Sequence, residues 1–288
     1  MAKDGQALSK LVENPGLDRL ADPLSRAVRG AYESAGAAGQ EAKNFVHGTW
    51  LGHPLHPVLT DVPVGAWTAA LALDAAAGDD PGMRRAARLV IGVGLLGALG
   101  SAVTGLTDWS ETSGRSRRTG LIHGLLNIGA TALMTASWIS RGRDSGAGGR
   151  GTAWAGYLIA AGSAYLGGEL VFSQRIGVTH AAIEEPEQFT AVARSTELAE
   201  GSMMRARKDD VDVLVARRRG KVCSLAHPCA HLGGPLSEGT LKDGSVVCPW
   251  HGSEFALEDG RVLNGPATQP QPALDVRERD GAIEVKAR

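Results

Sequence analysis

The chain has 288 residues and a formal net charge of −1, long enough for two domains of roughly 100–200 residues each. It carries no long basic or acidic run, which excludes nucleic acid as a partner, because that calls for a clustered basic face. Charge is unevenly spread: residues 1–57 hold 12 charged side chains, residues 58–172 hold 17 and residues 173–288 hold 32. The middle of the chain is therefore the apolar part.

Residues 1–44 form a first segment, polar and helix-prone, mixing both charge signs with Pro15 and Pro23. It lacks the apolar core of a secretory signal. It reads instead as a cytoplasmic or interfacial segment.

Residues 45–181 read as a four-helix membrane domain with spans at about 58–77, 89–107, 121–140 and 152–172. Leu89 to Thr107 holds no charge over 19 residues, close to the roughly 20 needed to cross a bilayer. The spans at 121–140 and 152–172 are interrupted only by His123, Asn127 and Glu169. The first span is weaker because it contains Asp61 and Asp74. The connectors 78–88, 108–120 and 141–151 are polar and Arg-bearing, and short loops imply an antiparallel bundle. A mean hydropathy of −0.08 leaves a soluble Ala-rich bundle as the alternative. Arginines flank both ends of the spans, so orientation is open; no disulfide framework is available, which favours a cytoplasmic C-terminal domain in a multi-pass protein of the bacterial cell membrane.

Ionisable groups inside a bilayer are costly and tend to mark function. His53 and His56 lie in a Pro-stiffened stretch before the first span, and His123 shares a helix face with Asn127. Two such imidazoles from different segments are candidate axial ligands for a haem b; the alternative is that they bond backbone carbonyls or acidic neighbours. The stretch His53-Pro54-Leu55-His56-Pro57, with Gly65-Ala66-Trp67, Thr104 to Trp109, His123 with Asn127, and Gly167 to Val171, resembles an uncharacterised family of bacterial four-helix membrane domains. That resemblance implies an integral membrane domain and no chemistry.

The stretch 182–186 is the expected linker. From residue 187 to 288 the pattern changes to short β-prone runs at 189–192, 212–216, 221–225, 245–247 and 282–285, with turns at Asp243-Gly244, Asp259-Gly260 and Asp280-Gly281. This predicts an all-β domain. Of three cysteines, Cys223 sits inside one of these strands and reads as a small buried apolar residue. The other two belong to Cys229-Ala230-His231 and, 16 residues later, Cys248-Pro249-Trp250-His251. Two thiolates and two imidazoles on adjacent loops suit a metal centre. A Cys₂His₂ zinc site would accept the same ligands, although its usual spacing pairs Cys with Cys and His with His.

The paired Cys/His spacing, continued by Leu232 to Leu236, Gly252-Ser253-Glu254-Phe255 and Gly265-Pro266-Ala267, resembles the Rieske family. The resemblance implies one [2Fe–2S] cluster per chain, held through Cys229, His231, Cys248 and His251, with Gly233, Trp250, Gly252, Ser253, Phe255 and Pro266 around it. The two histidines would form the edge where electrons pass. High-potential members carry a disulfide where this chain has Gly234 and Trp250, and a sulfur-bonding Tyr where it has Phe255. Fewer donors to sulfur imply a low-potential, ferredoxin-type centre near −150 mV, at the lower end of the roughly −150 to +300 mV Rieske range. The expected role is a membrane-anchored single-electron carrier between an unidentified donor and acceptor, such as a reductase, an oxygenase or a membrane redox protein. No catalytic residue is assigned. A Rieske oxygenase needs a further mononuclear iron domain, for which the 37 residues after His251 are too few. A redox-sensing or scaffolding membrane protein with a regulatory cluster is the remaining alternative.

Overall fold

The computed structural model describes residues 12–143, 149–181 and 186–288. The expected linker 182–186 lies, apart from Pro186, outside them. The chain forms two compact units, one from residues 1–39 and 55–174, the other from residues 40–54 and 175–288.

The first unit is helical: α1 (Asp18–Ser34), most of the divide-straddling α2 (Gly36–His47) excluded, then α3 (Leu55–Ala76), α4 (Pro81–Ser110), α5 (Gly114–Arg143) and α6 (Arg150–Gly168), the last prolonged by a π-helical turn at Glu169–Ser173. The helices run further into the expected connectors than hydropathy alone implies. Asp80 caps α4 by accepting from the Gly82 amide at 2.7 Å, and Pro81 at the first helical position brings its fixed φ. The charged stretch after it, with Arg84, Arg85 and Arg88, is then good helix former outside the apolar window.

All four long helices, counting α6 with its π-helical turn, are long and apolar enough to cross a membrane. Their outward surfaces are large and apolar: Leu89, Leu96, Ile128, Leu158 and Tyr165 are all more than 60% exposed. A soluble bundle would turn such side chains inward, because each buried Leu or Ile gains roughly 1.5–3 kcal/mol; in lipid there is no such cost. The four-helix transmembrane reading therefore stands over the soluble alternative.

Small residues let these helices approach. A Cβ on Gly94 would stand 2.3 Å from the Trp67 indole, and one on Gly97 2.6 Å from Val62. Inside the bundle Arg141 forms a bidentate pair with Asp74 at 2.7 and 2.5 Å, both side chains being buried. Helix α1 closes one end: Ser25 and Arg29 both donate to the Ser110 carbonyl at 2.9 Å, supplying partners to the end of α4. Asp18 and Asp22 pair with Arg118 and Arg117.

The second unit is all-β apart from its short helical turns and the larger part of α2. A six-stranded antiparallel sheet has the order β1-β10-β9-β4-β3-β2 and a four-stranded one the order β5-β6-β7-β8. The strands are β1 (Thr190–Arg194), β2 (Met203–Lys208), β3 (Val211–Arg218), β4 (Lys221–Ala226), β5 (Thr240–Leu241), β6 (Ser245–Val247), β7 (Glu254–Ala256), β8 (Val262–Asn264), β9 (Ala273–Arg279) and β10 (Ala282–Lys286). Hairpins β3–β4 and β9–β10 turn at Arg219-Gly220 and Asp280-Gly281, where both residues have φ between 51 and 77°, as tight two-residue hairpin turns require. Alternate residues Leu214, Leu225, Val246 and Phe255 fill one core, while Val213, Val215, Leu274, Ile283 and Val285 fill another. Cys223 lies in β4 against the first core, half-buried rather than fully buried as expected, and its partial burial raises its thiol pKa.

Candidate metal centre

Two loops of the β unit have the same local build. In the first, the Cys229 amide donates to the Gly234 carbonyl at 2.8 Å and the Gly233 amide donates back to the Cys229 carbonyl at 2.8 Å. In the second, the Cys248 amide donates to Ser253 at 2.8 Å and the Gly252 amide to Cys248 at 3.1 Å. Each loop closes on a glycine in the left-handed region, Gly233 at φ 76° and Gly252 at φ 75°, a conformation that costs an L side chain about 1–2 kcal/mol. The closure turns backbone N–H groups toward each sulfur: those of His231 and Leu232 toward Cys229, and those of Trp250 and His251 toward Cys248.

The loops bring all four sequence-predicted ligands together. Cys229 and Cys248 are both buried and lie within hydrogen-bonding reach of each other. That bond, together with the backbone donors and against the cost of burial, brings the Cys248 pKa down to about 7, while the same bond and burial push Cys229 strongly upward. Two buried thiolates this close repel each other, so a positive centre between them favours holding both in that form.

His231 and His251 meet with ring centroids 5.1 Å apart and planes at 86°. Two imidazoles on one tetrahedral metal, with metal–nitrogen bonds of about 2.0–2.1 Å, have ring centres about 5 Å apart. Nδ1 of His231 is buried without a hydrogen-bond partner. A buried ring nitrogen with nothing to bond is rare unless a ligand is missing from its front. The residues present fit a centre with two thiolates on one side and two imidazoles on the other.

The surroundings follow the expectations in several respects. A Cβ at Gly234 would come within 2.8 Å of the Cys248 sulfur and 3.2 Å of the Trp250 ring, so the two positions face each other and the indole occupies the space. Ser253 is buried, and its hydroxyl oxygen accepts from the Ala267 amide at 3.0 Å, which leaves its hydrogen free to donate. The same bond ties the Gly265-Pro266-Ala267 loop to the second ligand loop. Phe255 is fully buried in the adjoining core.

The family model for the Rieske [2Fe-2S] domain matches residues 188–277, and that for a predicted membrane protein family, DUF2231, matches residues 52–180. The ferredoxin component of biphenyl 2,3-dioxygenase from Rhodococcus jostii (strain RHA1) is 32% identical over 28% of this chain and 76% of its own length. This chain belongs to the Rieske [2Fe–2S] family. Its Rieske domain binds a [2Fe–2S] cluster. Human apoptosis-inducing factor 3 is 31% identical over 34% of this chain, which spans only 16% of that protein. The ferredoxin of carbazole 1,9a-dioxygenase from Nocardioides aromaticivorans IC177 is 24% identical, with a TM-score of 0.33, over 35% of this chain and 99% of its own.

Several residues of the Rieske unit escaped the sequence reading. Gln271, buried, donates to the carbonyls of Ala226 and Pro228 at 2.7 and 2.6 Å and accepts from the Ala230 amide at 2.8 Å, bracketing the first ligand loop. Its position between Pro270 and Pro272, where the backbone is stiff and short of donors, was the available signal. Asn44, from the segment 40–54, accepts from the Gly265 amide at 2.9 Å and donates to Asn264 at 3.1 Å. Lys43, His47 and His180 lie near His231; burial, then the neighbouring charges of His251, His47, His180 and Lys43, hold its pKa well below the usual value. His231 and His251 are both partly buried, and His251 adjoins Trp250, which is 56% exposed.

The membrane-domain histidines divide. His53 is exposed. His56 and His123 face each other with ring centroids 6.4 Å apart.

Proposed function

We propose that this protein is a membrane-anchored, low-potential Rieske carrier that passes single electrons between a reductase-like donor and an oxygenase-like or membrane-bound acceptor. In this reading Cys229 and Cys248 hold one iron and His231 and His251 the other. The observation that carries it is the buried, partnerless Nδ1 of His231 beside His251, opposite two buried thiols within hydrogen-bonding reach of each other. The bound cluster supplies reversible one-electron transfer.

The chain's own residues do the rest. Backbone N–H groups and the Ser253 hydroxyl neutralise part of the sulfur charge, and Phe255 withholds one further donor. Lys43, His47 and His180 flank His231, and the exposed Trp250 beside His251 offers an edge to a partner. The four spans hold the unit at the membrane. The Rieske unit is assigned to the cytoplasmic side of the bacterial cell membrane. A ferredoxin-type role draws on the dioxygenase ferredoxin component named above.

The test is a spectroelectrochemical titration of purified full-length protein. The expected midpoint is toward the lower end of the Rieske range, about −150 mV. Phe255→Tyr, if its hydroxyl reaches a ligand sulfur, should raise it by about 40–60 mV, the one-electron equivalent of a net hydrogen bond of about 1–1.5 kcal/mol. A wild-type midpoint near the high end of the range would overturn the low-potential assignment and favour quinol as donor.

A further inference from the structure

Helices α3–α4 and α5–α6 are two copies of one hairpin. In α3 and α5 the correspondence runs 67 residues on, pairing His56 with His123, Trp67 with Met134 and Asp74 with Arg141. In α4 and α6 it runs 62 residues on, pairing Gly94 with Gly156, Ser101 with Ser163 and Gly105 with Gly167. The contacts repeat with it. Trp67 lies on Gly94 as Met134 lies on Gly156. His56 Nδ1 bonds the Ser101 carbonyl at 2.9 Å, and His123 Nδ1 the Ser163 carbonyl at 2.8 Å. His56 lies against Gly105, where a Cβ would stand 2.7 Å from its Cε1, and His123 against Gly167, where the distance is 3.4 Å.

Equivalent residues that touch each other must lie on the axis relating the two hairpins. Asp74 with Arg141 is one such pair and His56 with His123 is the other. Eighteen residues of helix separate them, about 27 Å at 1.5 Å per residue, close to the roughly 30 Å hydrocarbon thickness. The ion pair thus closes one end of the bundle axis. The histidine pair occupies the other, the end at which Leu55 begins the first hairpin and Gln174 follows the second.

A carbonyl oxygen only accepts, so each Nδ1 carries the ring proton and each Nε2 holds a lone pair. This is the tautomer of a metal-ligating histidine, fixed by the second-nitrogen bond such ligands make. The lone pair of His123 accepts from the Asn127 side-chain amide at 3.1 Å, a bond that a side-chain rotation releases. Among the described residues no third His, Cys, Asp or Glu stands with His56 and His123 to complete a site for a bare ion. A site of two imidazoles suits a metal that brings its other ligands. Two imidazoles trans on one iron, with bonds of about 2.0 Å, have ring centres about 6 Å apart, against the 6.4 Å here.

We propose that His56 and His123 are the axial ligands of one b-type haem bound on the pseudo-twofold axis of the membrane unit, through Nε2 of each. Haem supplies a one-electron centre in addition to the cluster, and this proposal stands whether or not the low-potential assignment holds. The two ring planes cross at 85°, so the ferric form should give a strongly anisotropic low-spin EPR signal rather than that of parallel imidazoles.

The experiment is haem quantitation by pyridine haemochrome, with ferric EPR, on full-length protein produced with a haem precursor and purified in detergent. One haem per chain with the anisotropic low-spin signal is expected. His56→Gln and His123→Gln should each retain haem at least tenfold more weakly, the lower bound for losing even an outer partner of a ligand. Their reduced Rieske EPR signal and monodisperse elution should persist, which separates ligand loss from misfolding. Asn127→Ala removes only the competing amide and should keep the haem. Haem below one per ten chains, together with no low-spin spectrum when hemin is added to the purified protein, would overturn the proposal. So would haem retention unaffected by both histidine variants.

Discussion

Arg141→Met, with Asp74 left in place, is expected to destabilise the membrane unit by about 3–5 kcal/mol. The guanidinium and carboxylate are bidentate at 2.7 and 2.5 Å, with side-chain exposures of 0% and 3%. Arg141 is held further by Ser137 at 3.1 Å, and Arg150 approaches Asp74 to only 3.8 Å. Removing Arg141 strands a carboxylate in an apolar bundle, where the cost of an uncompensated charge exceeds what the pair itself contributed. The double variant Asp74→Leu/Arg141→Met removes both charges and should recover most of the loss. Thermal unfolding in detergent, followed by helical circular dichroism, compares the three proteins. A single variant within about 1 kcal/mol of wild type, or a double variant no better than the single, would show that the pair is not the bundle's electrostatic clamp.

The second large effect is at Gln271. Replacing it by leucine deletes three hydrogen bonds and leaves the Ala230 amide and the carbonyls of Ala226 and Pro228 without their side-chain partner. At about 1 kcal/mol per net bond, and more for each group left buried and unsatisfied, the loss should reach about 3 kcal/mol or more. Because Ala230 stands between Cys229 and His231, the loop that loses its brace is a ligand loop. Lower iron per chain and a lower unfolding midpoint of the brown chromophore are expected together. Full iron content at an unchanged midpoint would mean that the loop is held by its own backbone bonds alone.

The parts legible from sequence were those written in local chemistry. Charge-poor runs gave the four spans, because hydropathy integrates over a helix. The Cys/His spacing marked the centre, because a metal tolerates few donor patterns. Strands β3, β4 and β10 announced themselves by β-branched runs, whereas β2 and β9, Met203–Lys208 and Ala273–Arg279, carry Arg, Lys or Glu at nearly every other position. Their apolar face is thin, and pairing with neighbours decides them. Gln271 and Asn44 escaped for a different reason: apart from the two prolines flanking Gln271, neither has a local signature, and each acquires its role from residues up to 221 positions away. The hairpin duplication was present in the sequence as Ser101-Ala-Val-Thr-Gly105 and Ser163-Ala-Tyr-Leu-Gly167. It is too short and too alike in composition to ordinary membrane helix to stand out until the His and Asp/Arg pairs were seen to meet.

The most direct test of the central claim is the EPR spectrum of dithionite-reduced full-length protein with iron, sulfide and zinc determined on the same sample, for wild type and for His231→Ala. Two irons and two labile sulfides per chain, with a rhombic Rieske signal that disappears in the variant, are the result this account predicts. One zinc per chain and no reduced signal, or a Rieske signal that survives the loss of His231, would contradict it.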